Sequence, residues 1–241
     1  MITVDFSKLR IHSGDRVLDI GCGTGRHMGE ALRHAGVHVT GMDRNFQDLD
    51  TARDRMIYQK DLGECRGAWA LGASDITRLP FPDDCFDLVI CSEVLEHIPD
   101  QTGAVSEIVR VLKPGRDLVV SVPRYLPEHI CWRLSTRYRN TPGGHIRIYR
   151  QRELTDLLAR TGVRPWHIHW AHGLHTPYWW LKCFIGLEKT ETPPVKIYHR
   201  LLVWEMMQRP RMLQIIEKLL NPVLGKSMVL YLNKPACSLA G

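Results

Sequence analysis

The chain has 241 residues, of which 44% are hydrophobic and 24% are charged, and its formal net charge is +6. This composition is typical of a globular protein with one sizeable core, and the sequence has no internal repeat or low-complexity tract. A charge of +6 is modest for a protein that binds a polyanion, so nucleic-acid binding is not favoured.

The N-terminal stretch "MITVDFSKLRIHSGD" lacks a basic start followed by an apolar stretch, so the sequence predicts no secretory signal. The seven cysteines are odd in number and include no C-x-x-C pair, which is typical of reduced thiols in a cytoplasmic protein. The most apolar aromatic stretch, "TPYWWLKCFIGLE", is short and contains Lys182, which argues against a membrane-spanning helix.

Strand and helix patterns alternate along the chain. In chain order the predicted strands are "RVLDIG", "HVTGMD", "CFDLVICSEV", "DLVVSVP", "PWHIHWA" and "SMVLYLN". The predicted helices between them are "RHMGEALRHAG", "QDLDTARDRMI", "AVSEIVRVLKPG" and "QRELTDLLARTGV". Such alternation predicts an α/β fold with a mostly parallel sheet, helices on both faces, and ligands at the carboxyl ends of the strands.

The first strand ends in a glycine loop, "VLDIGCGTG", with glycine at positions 21, 23 and 25. Glycine permits positive φ and close approach of a ligand, and the following helix N-terminus offers free N–H groups to a carboxylate or phosphate. The loop reads G-x-G-x-G rather than the dinucleotide pattern G-x-G-x-x-G. Asp19 would attract an ammonium group, so a ligand with both an amino group and a carboxylate fits better than a dinucleotide. The alternative is a purely structural turn.

Asp43 ends the second predicted strand, about 20 residues beyond the glycine loop, where such folds place an acid on ribose hydroxyls. A carboxylate accepts hydrogen bonds from both hydroxyls at once. The alternative role for Asp43 is an N-cap of the next helix. The presence of loop and acid together favours the ribose role.

Several motifs occur in the order of a known family: "VLDIGCGTG", "GMD", "SDITRLPFPDDCFDLVICSEVLEHI" and "VLKPG". Over about residues 13–123 the sequence resembles the class I S-adenosylmethionine-dependent methyltransferases, and most of all the quinone-biosynthesis type called methyltransferase type 11. The resemblance implies a Rossmann-like, mostly parallel seven-stranded sheet with a helical insertion before the last strand. It also implies one domain over 1–241, with a cofactor-binding core at 13–123 and acceptor-site segments at 124–152 and 172–226.

The resemblance also implies cofactor-binding roles for residues that match the family's motifs. Asp43 would hold the ribose of S-adenosylmethionine, Arg44 would flank the adenine, and Asp75 would accept from the adenine amino group beside Ile76. The residues that would approach the methionine half are Asp19, Gly21, Cys22, Gly23, Gly25, Cys91, Ser92 and Glu93. His97 matches the family too, and its more ordinary role is to fix the loop that contains it.

The acceptor is expected to meet segments outside the shared half of the chain. His145 follows a glycine turn in "TPGGHIRIY" and is the predicted general base, with a surface histidine as the alternative. His129 is the reserve candidate, and Arg147 is a candidate for gripping an anionic or hydroxyl-rich substrate. The segment 172–226 is interpreted as a cap on the site, with a dimer contact as an equal alternative and a membrane-surface contact as a third.

Four histidines lie in "WHIHWAHGLH". No cysteine or acid clusters beside them, so the sequence favours solvent-facing histidines and predicts no metal site. A divalent ion that helps to bind a sugar-like diol is the alternative.

Taken together, the residues favour an enzyme that O-methylates a hydroxyl of a small molecule, such as a saccharide or a lipid-linked metabolite. Three alternatives stay open. They are carbon or nitrogen methylation of a quinone-like or other small molecule, methylation of RNA, and a non-catalytic module that binds the cofactor or a partner.

Overall fold

The computed structural model describes residues 1–208 and 210–236. Seven strands form one sheet in the order β3-β2-β1-β4-β5-β7-β6. The strands are β1 Arg16–Ile20, β2 His38–Asp43, β3 Ala68–Ala73, β4 Phe86–Ser92, β5 Leu112–Pro123, β6 Arg164–Ala171 and β7 Ser227–Asn233. All pairs are parallel except those of β7, which runs antiparallel to both β5 and β6. The predicted fold class, a mostly parallel seven-stranded sheet, is confirmed.

Nine α-helices lie in the described residues, with short 3-10 turns at Phe6–Lys8 and Leu95–His97. The helices are α1 Arg26–Ala31, α2 Phe46–Asp61, α3 Gln101–Val111, α4 Tyr125–Leu134, α5 Thr136–Arg139, α6 Gln151–Ala159, α7 His175–Ile185, α8 Pro193–Gln208 and α9 Arg211–Leu224. No helix among the described residues is long and apolar enough to cross a membrane.

Helices cover both faces of the sheet because its central strands are apolar on both sides. One core contains Ile108 of α3 and Leu154 of α6, and the other contains Met28 of α1 and Met56 of α2. β4 is buried from its first residue to its sixth, as expected for an interior strand of a parallel sheet. The carboxyl ends of β1, β2 and β4 therefore meet at one edge, where the glycine loop lies.

Two local expectations are wrong. The helix predicted through "VLKPG" ends at Val111, and β5 begins at the next residue, so Pro114 and Gly115 lie within a strand. The strand β3 has no counterpart among the predicted strands, because its sequence "AWALGA" is small-residue-rich and only half-buried at the edge of the sheet.

The segment before the last strand is helical, as predicted, and consists of α7, α8 and α9. Its helices share a small core of Leu174, Leu202 and Leu213. On α9, Leu213 is buried, whereas Leu219 and Met212 are exposed. The dimer or membrane contact of this segment stays a prediction.

The single domain predicted over 1–241 includes positions 209 and 237–241, which lie outside the described residues. Cys237, one of the seven cysteines, lies there too. The other six cysteines carry free thiols, as expected from their spacing.

Candidate active site

The glycine loop turns directly from β1 into α1. Gly21, Gly23 and Gly25 all have positive φ, at 65°, 49° and 74°. A Cβ on Gly21 would lie 2.3 Å from Val94 Cγ2, and a Cβ on Gly25 would lie 3.1 Å from Ala52 Cβ. A Cβ on Gly23 would have no atom within 4 Å among the described residues. At Gly21 and Gly25, the missing side chain therefore leaves room for neighbouring side chains of the protein to pack closely. At Gly23, the space that a Cβ would occupy is open.

Asp43 connects the second strand to the glycine loop. Its Oδ2 accepts from the Gly23 N–H at 2.8 Å, and its Oδ1 accepts from the Asn45 N–H at 2.9 Å. The N-cap of α2 is Asn45, whose Oδ1 accepts from the Gln47 N–H at 3.0 Å, so the N-cap role considered for Asp43 is wrong. Each carboxylate oxygen keeps a further lone pair for a ribose hydroxyl, and that contact stays a prediction.

Arg44 and Asp75 face each other across the ends of β2 and β3. Arg44 Nη1 lies 3.6 Å from Asp75 Oδ2, and Asp75 Oδ1 accepts from the Thr77 N–H at 2.9 Å and its hydroxyl at 2.7 Å. These hydrogen bonds from Thr77 lower the pKa of Asp75, which is therefore an ionised acceptor at neutral pH. Ile76 beside it is buried.

A cavity of about 190 Å³ opens between these segments. It brings together five of the residues predicted to bind the cofactor. Its lining consists of Ile20, Gly21, Met42, Asp43, Arg44, Ser74, Ile76, Glu93, Val94, His97 and Ile98.

Asp19 lies under the loop and is only 1% exposed. Its Oδ2 has no hydrogen-bond partner among the described residues. Burial, with a smaller contribution from the negative charge of Asp43, raises the pKa of Asp19 to about 7 against a hydrogen bond from the Met28 backbone. A buried carboxylate with a spare oxygen fits a ligand ammonium group, so the site fits the amino-acid half of S-adenosylmethionine.

Three residues predicted near the methionine half direct their side chains elsewhere. Cys22 and Cys91 are buried in the two cores, and burial raises the pKa of both thiols. The Ser92 hydroxyl lies 2.7 Å from the Ser121 hydroxyl. The approach of Cys22, Cys91 and Ser92 to the methionine half of the cofactor therefore concerns their backbone atoms and stays a prediction.

His145 is paired with an acid that the sequence did not indicate. Its Nδ1 lies 2.6 Å from Oε1 of Glu128, which is 1% exposed, and the Tyr138 hydroxyl donates to the other Glu128 oxygen at 3.3 Å. Because an ionised carboxylate only accepts, His145 carries its proton on Nδ1 and leaves Nε2 as the free base. Glu128 lies on α4, one of the segments that the resemblance does not cover.

His97 lies beside His145, with 5.0 Å between ring centroids. Its Nδ1 donates to the Gly144 carbonyl at 3.1 Å, so it does fix the glycine turn before His145. Burial lowers the pKa of His97, and the neighbouring His145 lowers it further. His97 lines both the cofactor cavity and a second cavity of about 350 Å³ that contains His145, Trp132 and Arg139.

Acidic residues lie behind the two histidines. Glu96 is fully buried, neither of its oxygens has a hydrogen-bond partner among the described residues, and burial raises its pKa well above the usual range. Glu93 has a left-handed φ of 57°, accepts from the Ser121 hydroxyl at 3.1 Å, and has a pKa that burial also raises. The signal for Glu96 was present in "EVLEHI", but an acid next to a short turn gives no sign of burial.

The other two candidates have different roles from those expected. Arg147 donates to the backbone carbonyls of Leu95, Ile98 and Pro99, so its guanidinium orients this loop and is not directed at a substrate. The ring of His129 stacks on that of Tyr125 at 5.4 Å.

The sheet order, the glycine loop and the acids after β2 and β3 define a class I S-adenosylmethionine-dependent methyltransferase. The chain belongs to the methyltransferase domain family, which matches residues 4–168. S-adenosylmethionine is the cofactor of this family of enzymes.

The relatives act on different kinds of acceptor. The 27-O-demethylrifamycin SV methyltransferase of Amycolatopsis mediterranei is 35% identical over 65% of this chain and 57% of its own length. The sterol 24-C-methyltransferase ERG6B of Gibberella zeae is 38% identical over 44% of this chain and 27% of its own length. The match thus spans less than two thirds of either relative.

Solved structures agree on the fold over nearly the whole chain. The SAM-dependent methyltransferase structure from Methanosarcina mazei has a TM-score of 0.58 and 17% identity, and the match covers 94% of this chain and 95% of that chain. At this identity the likeness shows the fold alone.

Proposed function

We propose that this protein O-methylates a hydroxyl group of a small molecule, with His145 as the general base. One observation carries the proposal. His145, whose Nδ1 lies 2.6 Å from the buried Glu128, lines a cavity that shares His97 with the cofactor cavity. A hydroxyl acceptor gains more from such a base than an amine does.

The residues in and around the first cavity are those that would hold the cofactor. Asp43 holds the ribose hydroxyls, Arg44 and Asp75 bracket the adenine, and Asp19 with the loop amides receives the amino-acid part. When bound, S-adenosylmethionine supplies an electrophilic methyl group on a positively charged sulfur. The protein's contribution is alignment of the acceptor atom, which supplies up to ~7–11 kcal/mol of the barrier reduction in well-oriented systems.

His145 accepts the hydroxyl proton at Nε2 as the oxygen becomes nucleophilic. Glu128 keeps the imidazole in the tautomer with a free Nε2 and stabilises the imidazolium that forms, as the acid of a catalytic triad does. The Tyr138 hydroxyl holds the other oxygen of Glu128, so the carboxylate cannot rotate away. Acid–base help of this kind contributes about 10²–10⁴-fold to the rate.

The second cavity favours a polar ring as the acceptor. Trp132 offers an apolar face, and the Arg139 guanidinium lies 5.3 Å above that ring, so a hydroxylated ring finds both stacking and donors there. A saccharide or a lipid-linked metabolite meets these requirements. The rifamycin relative, whose name specifies a 27-O-methyl position, supports oxygen as the acceptor atom.

The arginines of 124–152 give little support to an RNA substrate. Arg124 donates to the carbonyls of Pro222 and Val223, Arg137 pairs with Glu188, and Arg147 binds a loop backbone. Side chains used in this way contribute less to a surface that binds phosphates. The sterol relative, whose name specifies a 24-C-methyl position, supports methylation of a carbon atom as the second candidate function.

The test is transfer from methyl-labelled S-adenosylmethionine to a panel of saccharides, polyketides, lipid-linked metabolites, quinone precursors, amines and RNA. We expect the label in a methoxy group, identified by its carbon-13 shift, and a large loss of turnover in His145→Ala. Label on carbon or nitrogen, or in RNA, contradicts the proposal. Tight cofactor binding without transfer to any member of the panel would favour a non-catalytic module.

A further inference from the structure

Two histidines and a glutamate meet behind the site, at the junction of the sheet and the helical segment. His172 follows β6, His175 begins α7, and Glu217 lies in the middle of α9. One ligand atom from each residue lies within 4.8 Å of the others. Glu217 is more than 40 residues from the histidines along the chain, so the sequence pattern around them contains no acid of this cluster.

The local backbone is arranged to bring these side chains together. His172 has a left-handed φ of 64°, which is strained for a residue other than glycine, and its carbonyl accepts from the His175 N–H at 3.0 Å. Gly173 donates to Asn221 Oδ1 at 2.8 Å, which fixes the turn against α9 one helical turn beyond Glu217. The two rings are 5.6 Å apart at an interplanar angle of 77°.

Each of the three side chains has a buried polar atom without a hydrogen-bond partner in the described part of the chain. These atoms are His172 Nε2, His175 Nδ1 and Glu217 Oε1. An unsatisfied buried polar atom is costly, so three of them in one place indicate a missing partner. The expectation that the histidines of "WHIHWAHGLH" face solvent is therefore wrong for His172 and His175.

The protonation states are those of metal ligands. Burial lowers the pKa of His175 to about 4, with Lys226 acting in the same direction, and it lowers the pKa of His172 well below the usual range. Both imidazoles are neutral at pH 7 and each has a free lone pair. Burial, with a smaller contribution from the nearby Glu205, raises the pKa of Glu217 to about 7.

We propose that His172, His175 and Glu217 form a site for a divalent transition metal of the zinc class, which joins α9 to the end of β6. Two imidazoles and one carboxylate are a ligand set that favours zinc over magnesium or calcium. Tetrahedral zinc places its ligand atoms roughly 3.4 Å apart. The three ligand atoms already lie within 4.8 Å of one another, so small side-chain rotations would bring them to this spacing.

The remaining coordination position faces a cavity of about 530 Å³. Charges of both signs line this cavity, with Glu30 and Glu205 opposing Arg26 and Arg55. Arg55 donates to the Thr24 carbonyl at 2.8 Å, so part of the positive charge is directed to the glycine loop. The fourth ligand is therefore a water or a small anion from this cavity.

The test is zinc binding by the purified full chain after treatment with a chelator, measured by calorimetry and by metal analysis after gel filtration. We expect the wild type to bind zinc and to melt at a higher temperature with it. Glu217→Gln and His172→Gln each lose one equivalent, or bind it more than about tenfold more weakly. Circular dichroism confirms that the variants are folded.

Two control variants separate this site from other histidines. His38→Gln changes an exposed histidine on β2 and keeps the zinc equivalent. Glu96, His97 and His145 form a second cluster whose ligand atoms also lie within 4.8 Å of one another, and His97→Gln changes this cluster. We expect His97→Gln to keep the equivalent of zinc that Glu217→Gln loses. Absence of zinc binding by the wild type, or equal binding by wild type and Glu217→Gln, overturns the proposal.

Discussion

The Glu128 carboxylate lies 2.6 Å from Nδ1 of His145, on the side of the ring opposite Nε2. Both side chains are largely shielded from water, at 1% and 18% exposure. A short contact between an acid and an imidazole in such surroundings orients the ring and fixes which nitrogen faces the acid.

Glu128→Gln tests this positioning role. The amide side chain donates to Nδ1 or loses the negative charge that stabilises the imidazolium, so we expect kcat to fall by about 10²–10⁴-fold. KM for the acceptor stays close to the wild-type value, because Glu128 does not line either cavity. The pH profile of kcat is the second measurement, and its acidic limb, where a general base becomes protonated and inactive, should move. Recovery of much of the rate by Glu128→Asp supports positioning, whereas an unchanged profile in Glu128→Gln refutes it.

His145→Ala removes the base itself. We expect turnover to fall by about 10²–10⁴-fold while the affinity for S-adenosylmethionine stays the same, because His145 lines the second cavity and not the first. Single-turnover rates and calorimetry on the same preparation separate the two effects. His129→Ala is the matched control, since this ring stacks on Tyr125 and lines neither cavity. Near-normal turnover in His145→Ala would show that the histidine is a bystander.

Asp43→Ala tests the ribose site. The substitution removes the acceptor for ribose hydroxyls and the hydrogen bonds to Gly23 and Asn45, so we expect no measurable binding of S-adenosylmethionine. Asp43→Asn is the control for loop geometry, because its oxygen keeps one of the two backbone hydrogen bonds. Unchanged affinity of Asp43→Ala in calorimetry contradicts the assigned role.

Asp19 predicts a pH dependence of cofactor binding. Its pKa of about 7 in the folded protein lies above the unfolded value, so the native state keeps a proton that the unfolded state loses. The stability of the apo protein therefore falls as pH rises from about 4 to 7 and is level above it. An ammonium ligand favours the ionised form, so its affinity rises by roughly eightfold between pH 6 and 7.5. Asp19→Asn should remove both trends, and a pH-dependent affinity in that variant rejects this explanation.

The sequence predicted those site residues that lie at the carboxyl ends of strands, because short patterns of neighbouring residues mark these positions. Gly21 and Asp43 each lie at the end of an apolar strand, and parallel strands carry such ends to one edge. Glu128 and Glu217 were missed because each lies on a helix, where an acid is ordinarily solvated, and only tertiary packing buries it against a histidine. Cys91 lies near the end of the apolar strand β4, and its side chain packs in the core, which its position in the sequence did not indicate.

The glycines of the loop differ in what lies beside their Cα atoms. The variants Gly21→Ala and Gly23→Ala distinguish a glycine needed for packing within the protein from one needed for close approach of a ligand. Both residues have positive φ, which costs an alanine about 1–2 kcal/mol in either position. The Cβ of Gly21→Ala also lies 2.3 Å from Val94 Cγ2, so this variant should have the lower melting temperature of the two. Gly23→Ala meets no protein atom within 4 Å among the described residues, so its stability loss stays near the backbone cost. Its new methyl group lies on the open side of the loop, where we expect it to lower the affinity for S-adenosylmethionine measured by calorimetry. An unchanged affinity in Gly23→Ala would mean that the ligand does not approach this part of the backbone, and the glycine would then serve the turn alone.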